Sequence, residues 1–341
     1  MRALLEAGAS PAVVAPCRPG DVAASYIREG VPVTHVGFED RLSLLTSLAP
    51  WRRAARNAIG DLDPEVVHGQ GLLIGGLPAC DVAGVPRVVT AHGNSREDTV
   101  ASYSGLGRLA RMRLRDRLVR RVITRADAVI GVHPDWRVNL PAQPRHFAHI
   151  PNIVDDAFFA VAAAPEPGRV LYCGGARRIK GWDLLQAAWP GIRAAVPDAM
   201  LVAAGFPEHD ETDGALDGVS IRGLLSPDAI AAEMARASVV VMPSRYEVAP
   251  ITLTESWATG VPIVVADVGG VSALAGGAAT LVPAEAPDRL TAAVVGILSG
   301  DPGAAAHVAE GRERALGYRA DAVARAHLDL YERLVAGGTT T

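Results

Sequence analysis

At 341 residues the chain is longer than one hydrophobic core usually organises, so two domains are expected. A net charge of -4 supplies no global attraction to nucleic acid, and Cys17, Cys80 and Cys173, with no CxxC pair, suggest neither a disulfide framework nor a zinc site. Glu6 interrupts the short apolar run at the N-terminus, which argues against a signal peptide, and no apolar stretch approaches the ~20 residues of a membrane span, so a cytoplasmic protein is expected.

Short β-branched runs alternate with helical stretches, the pattern of parallel sheets with crossover helices and hence of an α/β fold. In the first half, strands are predicted at Ala12–Ala15, Pro32–Val36, Val66–His68, Arg87–Ala91, Ala128–Val132 and His146–Ile150. Between Arg108 and Arg125, arginines interleave with Leu109, Met112, Leu114, Leu118, Val122 and Ile123 at helical spacing. That predicts a surface helix with one core face, and peripheral contact with anionic lipid is the alternative.

The stretch HIPNIVDDAFFAVAAAPEPGR has no period that fills a core, which places a boundary near Pro151 to Asp155. Beyond it, strands are predicted near Val170–Cys173, Met200–Ala204, Val219–Ile221, Val239–Met242, Pro262–Ala266 and Thr280–Val282, and Arg319 to Val335 reads as a long amphipathic helix. The expected domains are 1–152, 153–318, and a C-terminal helix and tail, 319–341, able to pack back on the first domain.

The run ASVVVMPSRYEVAPITLTESWATGVPIVVADVGG carries the most chemistry. A buried strand ends at Pro243, Pro250 suits the first position of a helix, Gly260 stops that helix and Pro262 opens the next strand. Glu247 then lies in a loop beyond a strand's carboxyl end, beside a helix N-terminus that favours phosphate, with Glu255 inside the helix. A carboxylate can accept hydrogen bonds from two adjacent sugar hydroxyls. Acids are common enough in this chain for several pairs at any one spacing to arise by chance, so the setting rather than the spacing makes the motif informative.

In that setting PSRYEVAPITLTESWATGVPIVVADVGG resembles the signature of the family 4 retaining glycosyltransferases of GT-B fold, with seven residues between its paired glutamates. VLYCGGARRIKGWDLLQAAW resembles that family's diphosphate-binding loop, IPNIVDDAFF its interdomain hinge and VTAHGN its acceptor-domain loop, and DPEVVHGQG and RADAVIGV also fit. The resemblance runs from about Leu5 to Tyr331. It implies two Rossmann-like domains facing each other across a cleft, the first binding the acceptor and the second a nucleotide sugar.

By this resemblance Glu247 approaches the donor sugar's hydroxyls and Glu255 holds the ribose. Gly174, Gly175, Arg177, Arg178 and Lys180 form the diphosphate loop, and Val248, Ala249, Pro250 and Ile251 the helix start facing the donor. His92, Lys180 and Glu247 are the expected catalytic residues. Lys180 is the only lysine in the chain, and a Lys-Gly step opening a helix puts an ammonium where a departing diphosphate needs neutralising. The family usually has an arginine where this chain has Gly175, so Arg177 or Arg178 is expected to substitute by reaching back.

MRALLEAGASPAVVAP resembles the end of the family's first helix followed by its second strand, so that the family's first strand and glycine-rich loop have no counterpart; either a longer natural chain carries them upstream of Met1, which is the expectation, or part of the acceptor pocket has been lost. His68 ends a strand and His133 stands where the family often has serine; neither is given a catalytic role. Asp61 and Asp63 precede a strand instead of following one, so they are read as loop residues, and no metal site or cofactor is expected.

The activity implied is glycosyl transfer from a nucleoside-diphosphate sugar, a UDP-sugar first, to a small-molecule, glycan or lipid acceptor with retained anomeric configuration. Nucleic acid is not an expected partner. A sugar-nucleotide epimerase of related fold and a non-catalytic sugar-nucleotide-binding paralogue remain as alternatives.

Overall fold

The computed structural model describes residues 1–17, 24–36, 43–93, 107–206 and 216–337. They divide into two compact units, Met1–Pro151 with Val323–Thr341, and Asn152–Ala322. None of the described helices is long and apolar enough to cross a membrane.

The second unit is built on a six-stranded sheet of β8 (Arg169–Cys173), β9 (Met200–Ala204), β10 (Val219–Ile221), β11 (Val239–Met242), β12 (Ile263–Asp267) and β13 (Thr280–Pro283), in the order β10-β9-β8-β11-β12-β13. Every neighbouring pair is parallel. All four residues of β11 are buried, because helices cover both faces of the sheet. Side chains alternate between faces, so Val239 and Val241 join the core with Trp189 and Ile192, while Val240 and Met242 join the core with Leu253 and Trp257. After β10 the chain returns to the other side of β8, so the strand order reverses between β8 and β11. In open parallel sheets that crevice, beyond the strands' carboxyl ends, is where ligands bind.

The first unit holds a parallel sheet of β4 (Val67–Gln70), β5 (Arg87–Ala91), β6 (Ala128–Gly131) and β7 (His146–His149), and a separate sheet in the order β1-β3-β2 of β1 (Val13–Pro16), β2 (Ser25–Arg28) and β3 (Val31–Val36). No described strand joins the two. The reading from sequence has no counterpart of β2, an exposed strand that pairs antiparallel with β3. Its turn is the pair Glu29-Gly30, both at positive φ, the geometry that suits a two-residue hairpin.

The helix Gly107–Arg125 buries Val119, Val122 and Ile123 and exposes Arg113, Arg117, Arg120, Arg121 and Arg125. Met112, Leu114 and Leu118 are only half-buried, Val119 was not in the expected core face, and the side chain of Leu109 lies outside the described residues. The C-terminal helix Ala320–Ala336 brings Val323 and Leu330 into the first unit's core against Val88, Ala128, Ile130 and Ile150.

Candidate functional site

Where β8 ends, Tyr172 is buried and its hydroxyl reaches the carbonyl oxygens of Gly175 at 2.9 Å and Lys180 at 3.3 Å, tying the loop to the sheet. Two glycines are required there. Gly175 has φ +63°, and a Cβ on it would stand 2.5 Å from the Gly205 carbonyl oxygen; Gly181 has φ +73°, and a Cβ would stand 2.0 Å from that of Pro243. This close approach sets the single turn Arg178–Lys180, and the helix Trp182–Ala195 that follows, against the end of β11. The Arg245 backbone N–H donates to the Ile179 carbonyl at 2.8 Å, joining the two loops directly.

Lys180 and Glu247 meet in this corner. The lysine Nζ donates to Glu247 Oε1 at 2.6 Å, and the buried Ser244 hydroxyl donates to the same oxygen at 2.8 Å. Beside them lies a cavity of about 240 Å³, lined also by Tyr172, Cys173, Gly174, Ala249, Pro250, Ile251 and Thr252. The helix Ile251–Thr259 therefore starts on the cavity wall, and no side chain caps it. Pro250 is the cap residue itself, with extended backbone, one position earlier than expected from sequence. An ammonium and an uncapped helix N-terminus both favour an anion, and a carboxylate alongside accepts from hydroxyls.

Glu255 follows Ile251 by one helical turn, on the same face, and is half-buried. It does not line the cavity. Burial, then the charge of Asp155, pushes its carboxyl up to about 7. Its own charge helps raise the thiol of Cys173, a cavity residue, where burial is the main cause. Arg177 and Arg178 are exposed and neither lines the cavity, nor does Val248.

A residue that the sequence reading missed, Arg245, organises this corner from behind. Its guanidinium donates to both carboxylate oxygens of Asp183, at 2.6 and 2.8 Å, to the Arg178 carbonyl at 2.6 Å and to Glu285. The guanidinium holds the Asp183 carboxyl below its ordinary range. An arginine two residues before a glutamate carries no sequence signal for this role, because its partners lie far along the chain.

In the first unit His92 is exposed just beyond β5, and its Nε2 lies 2.7 Å from Gln70 Oε1. Asn94, the last residue of its motif, lies outside the described residues. His68 bonds Tyr331 and Thr90 inside the unit, and His133 is buried, its Nδ1 accepting the Asp135 backbone N–H at 3.1 Å.

The family model described as Glycosyltransferase Family 4 matches residues 1–158, and that described as Glycosyl transferases group 1 matches residues 167–300. A phosphatidyl-myo-inositol mannosyltransferase of Mycolicibacterium smegmatis is 29% identical over 98% of this chain and 88% of its own. The solved sucrose-phosphate synthase of Thermosynechococcus elongatus gives a TM-score of 0.78 at 22% identity, covering 99% of this chain and 92% of that one. HepE of Anabaena, crystallised with UDP-glucose, gives 0.68 at 15% identity over 95% and 99%.

Proposed function

The chain belongs to the family 4 glycosyltransferases of GT-B fold, and on that premise we propose that it moves a sugar from a nucleoside-diphosphate sugar to an acceptor hydroxyl or amine with retained anomeric configuration. The observation that carries this reading is the Lys180–Glu247 corner, which sets an ammonium, a carboxylate and an uncapped helix N-terminus around one cavity at the sheet's switch point.

When a donor enters, its diphosphate competes with Glu247 for Lys180. Lys180 and the first N–H groups of the helix Ile251–Thr259 then neutralise the phosphate charge, and Glu247 turns to the hydroxyls of the sugar. The bond from the anomeric carbon to the phosphate oxygen breaks. The acceptor oxygen or nitrogen bonds to that carbon on the same face, and its proton passes to the departing phosphate. In this reading protein cations take the place of a metal, Glu255 accepts from the ribose hydroxyls, and His92 serves the acceptor side.

HepE, crystallised with UDP-glucose, supports UDP-sugars as the first donors to test, and the mannosyltransferase's name supports a lipid-linked inositol among the acceptors. The exposed arginines of the helix Gly107–Arg125 support a contact with anionic lipid in that case. Thermal shift with UDP-, GDP- and dTDP-sugars tests the reading. A true donor raises Tm by mass action, and no shift with any of them at millimolar concentration contradicts it.

A further inference from the structure

The exposed His92 is held by a chain of hydrogen bonds that runs into the core of the first unit. β4 and β5 are parallel neighbours with Gln70 opposite Thr90, so two residues with diagonal neighbours repeat along one face. His68 Nε2 lies 2.7 Å from Thr90 Oγ1, and two residues on Gln70 Oε1 lies 2.7 Å from His92 Nε2. Gln70 Nε2 stands 3.4 Å from His68 Nε2, and His68 Nδ1 lies 2.6 Å from the hydroxyl of Tyr331 on the C-terminal helix.

We propose that Gln70 is a positioning residue that holds His92 in its Nε2–H tautomer, with its amide oriented by His68 and by Tyr331 behind it. This rests on the reading that His92 acts in transfer. Burial, then the charges of His327 and His92, bring the His68 pKa down to about 3, so its ring is neutral, with one donor and one acceptor nitrogen. His68 also packs against the rings of His327 and Tyr331. An amide nitrogen can only donate, so His68 Nε2 is the acceptor, taking the Thr90 hydroxyl at 2.7 Å as its main donor and the Gln70 amide as a longer second one, and Nδ1–H donates to Tyr331 Oη. With its nitrogen toward His68, Gln70 presents its oxygen to His92, which must then carry hydrogen on Nε2. In a neutral ring Nδ1 is then a hydrogen-bond acceptor, which orients an acceptor hydroxyl whose proton still passes to the departing phosphate.

The test is histidine ¹⁵N NMR on the whole chain, with the His92 signals identified by their loss in His92→Ala. The proposal expects Nε2–H in the wild type, a mixture of tautomers in Gln70→Leu, and retention of Nε2–H in Gln70→Glu, whose carboxylate still accepts. UDP affinity should not change in Gln70→Leu, since every residue lining the donor cavity belongs to the second unit. Release of UDP from UDP-glucose should fall roughly tenfold in kcat with KM unchanged. A wild-type Nδ1–H tautomer, or an unaltered tautomer in Gln70→Leu, overturns the proposal. Full turnover in His92→Ala would instead remove the catalytic reading of His92 on which it rests.

Discussion

Lys180 and Glu247 are separated by 67 positions in the chain, yet Nζ and Oε1 lie 2.6 Å apart where β8 and β11 diverge. The ion pair fixes the ammonium and the carboxylate on one wall of the cavity. Because the pair is largely shielded from water, with Glu247 buried, removing one partner leaves the other carrying uncompensated charge. Lys180→Ala should lower kcat by about 100-fold or more, with the loss measured at saturating donor. Near-normal turnover would take the lysine out of the mechanism.

Gly181→Ala tests the backbone that places this lysine. The new Cβ would meet the Pro243 carbonyl oxygen at 2.0 Å in a left-handed conformation, so the turn must move. A loss of about 2 kcal/mol or more is expected in urea unfolding, with kcat reduced as well. Unchanged stability would mean that the helix start is not packed as described.

Glu255 links stability to pH. Its carboxyl titrates near 7 in the fold against an ordinary 4.5, so between those values the folded chain holds a proton that the unfolded chain has lost. The group therefore costs stability as pH rises through that window. Glu255→Gln should be more stable than wild type by about 2–3 kcal/mol at pH 8, the gap closing below pH 4.5, while binding UDP more weakly. A gap in unfolding free energy that does not change with pH would contradict this.

Arg245→Met removes the guanidinium that ties Asp183, Glu285 and the Arg178 carbonyl together. The carboxylates are half-exposed, so the stability loss should be only about 1 kcal/mol. The larger effect should fall on donor affinity, because the Arg178–Lys180 turn loses its anchor; an unchanged Kd for UDP measured by calorimetry would argue against that role.

Much of the second unit could be read from the sequence, since Met200–Ala204, Val219–Ile221 and Val239–Met242 are short apolar or β-branched runs with clear ends. β2 was not legible, because Ser25–Arg28 is exposed throughout and has no buried face to set a pattern. Lys180 and Glu247 stood out as a lone lysine and a glutamate beyond a strand end, but their direct pairing did not. By resemblance one was expected at diphosphate and the other at sugar, roles that give no reason to look for a contact between them, whereas in the fold the ammonium donates directly to the carboxylate. Arg245, Tyr172 and Gln70 escaped notice for a shared reason: each acts through partners fixed only by the folded backbone.

A crystal structure of the chain with UDP would address the central claim most directly. The account predicts the diphosphate within hydrogen-bonding distance of Lys180 Nζ and of the N–H groups opening the helix Ile251–Thr259, with Glu247 released from the lysine. A nucleotide bound away from the β8–β11 crevice, with the Lys180–Glu247 pair intact, would contradict it.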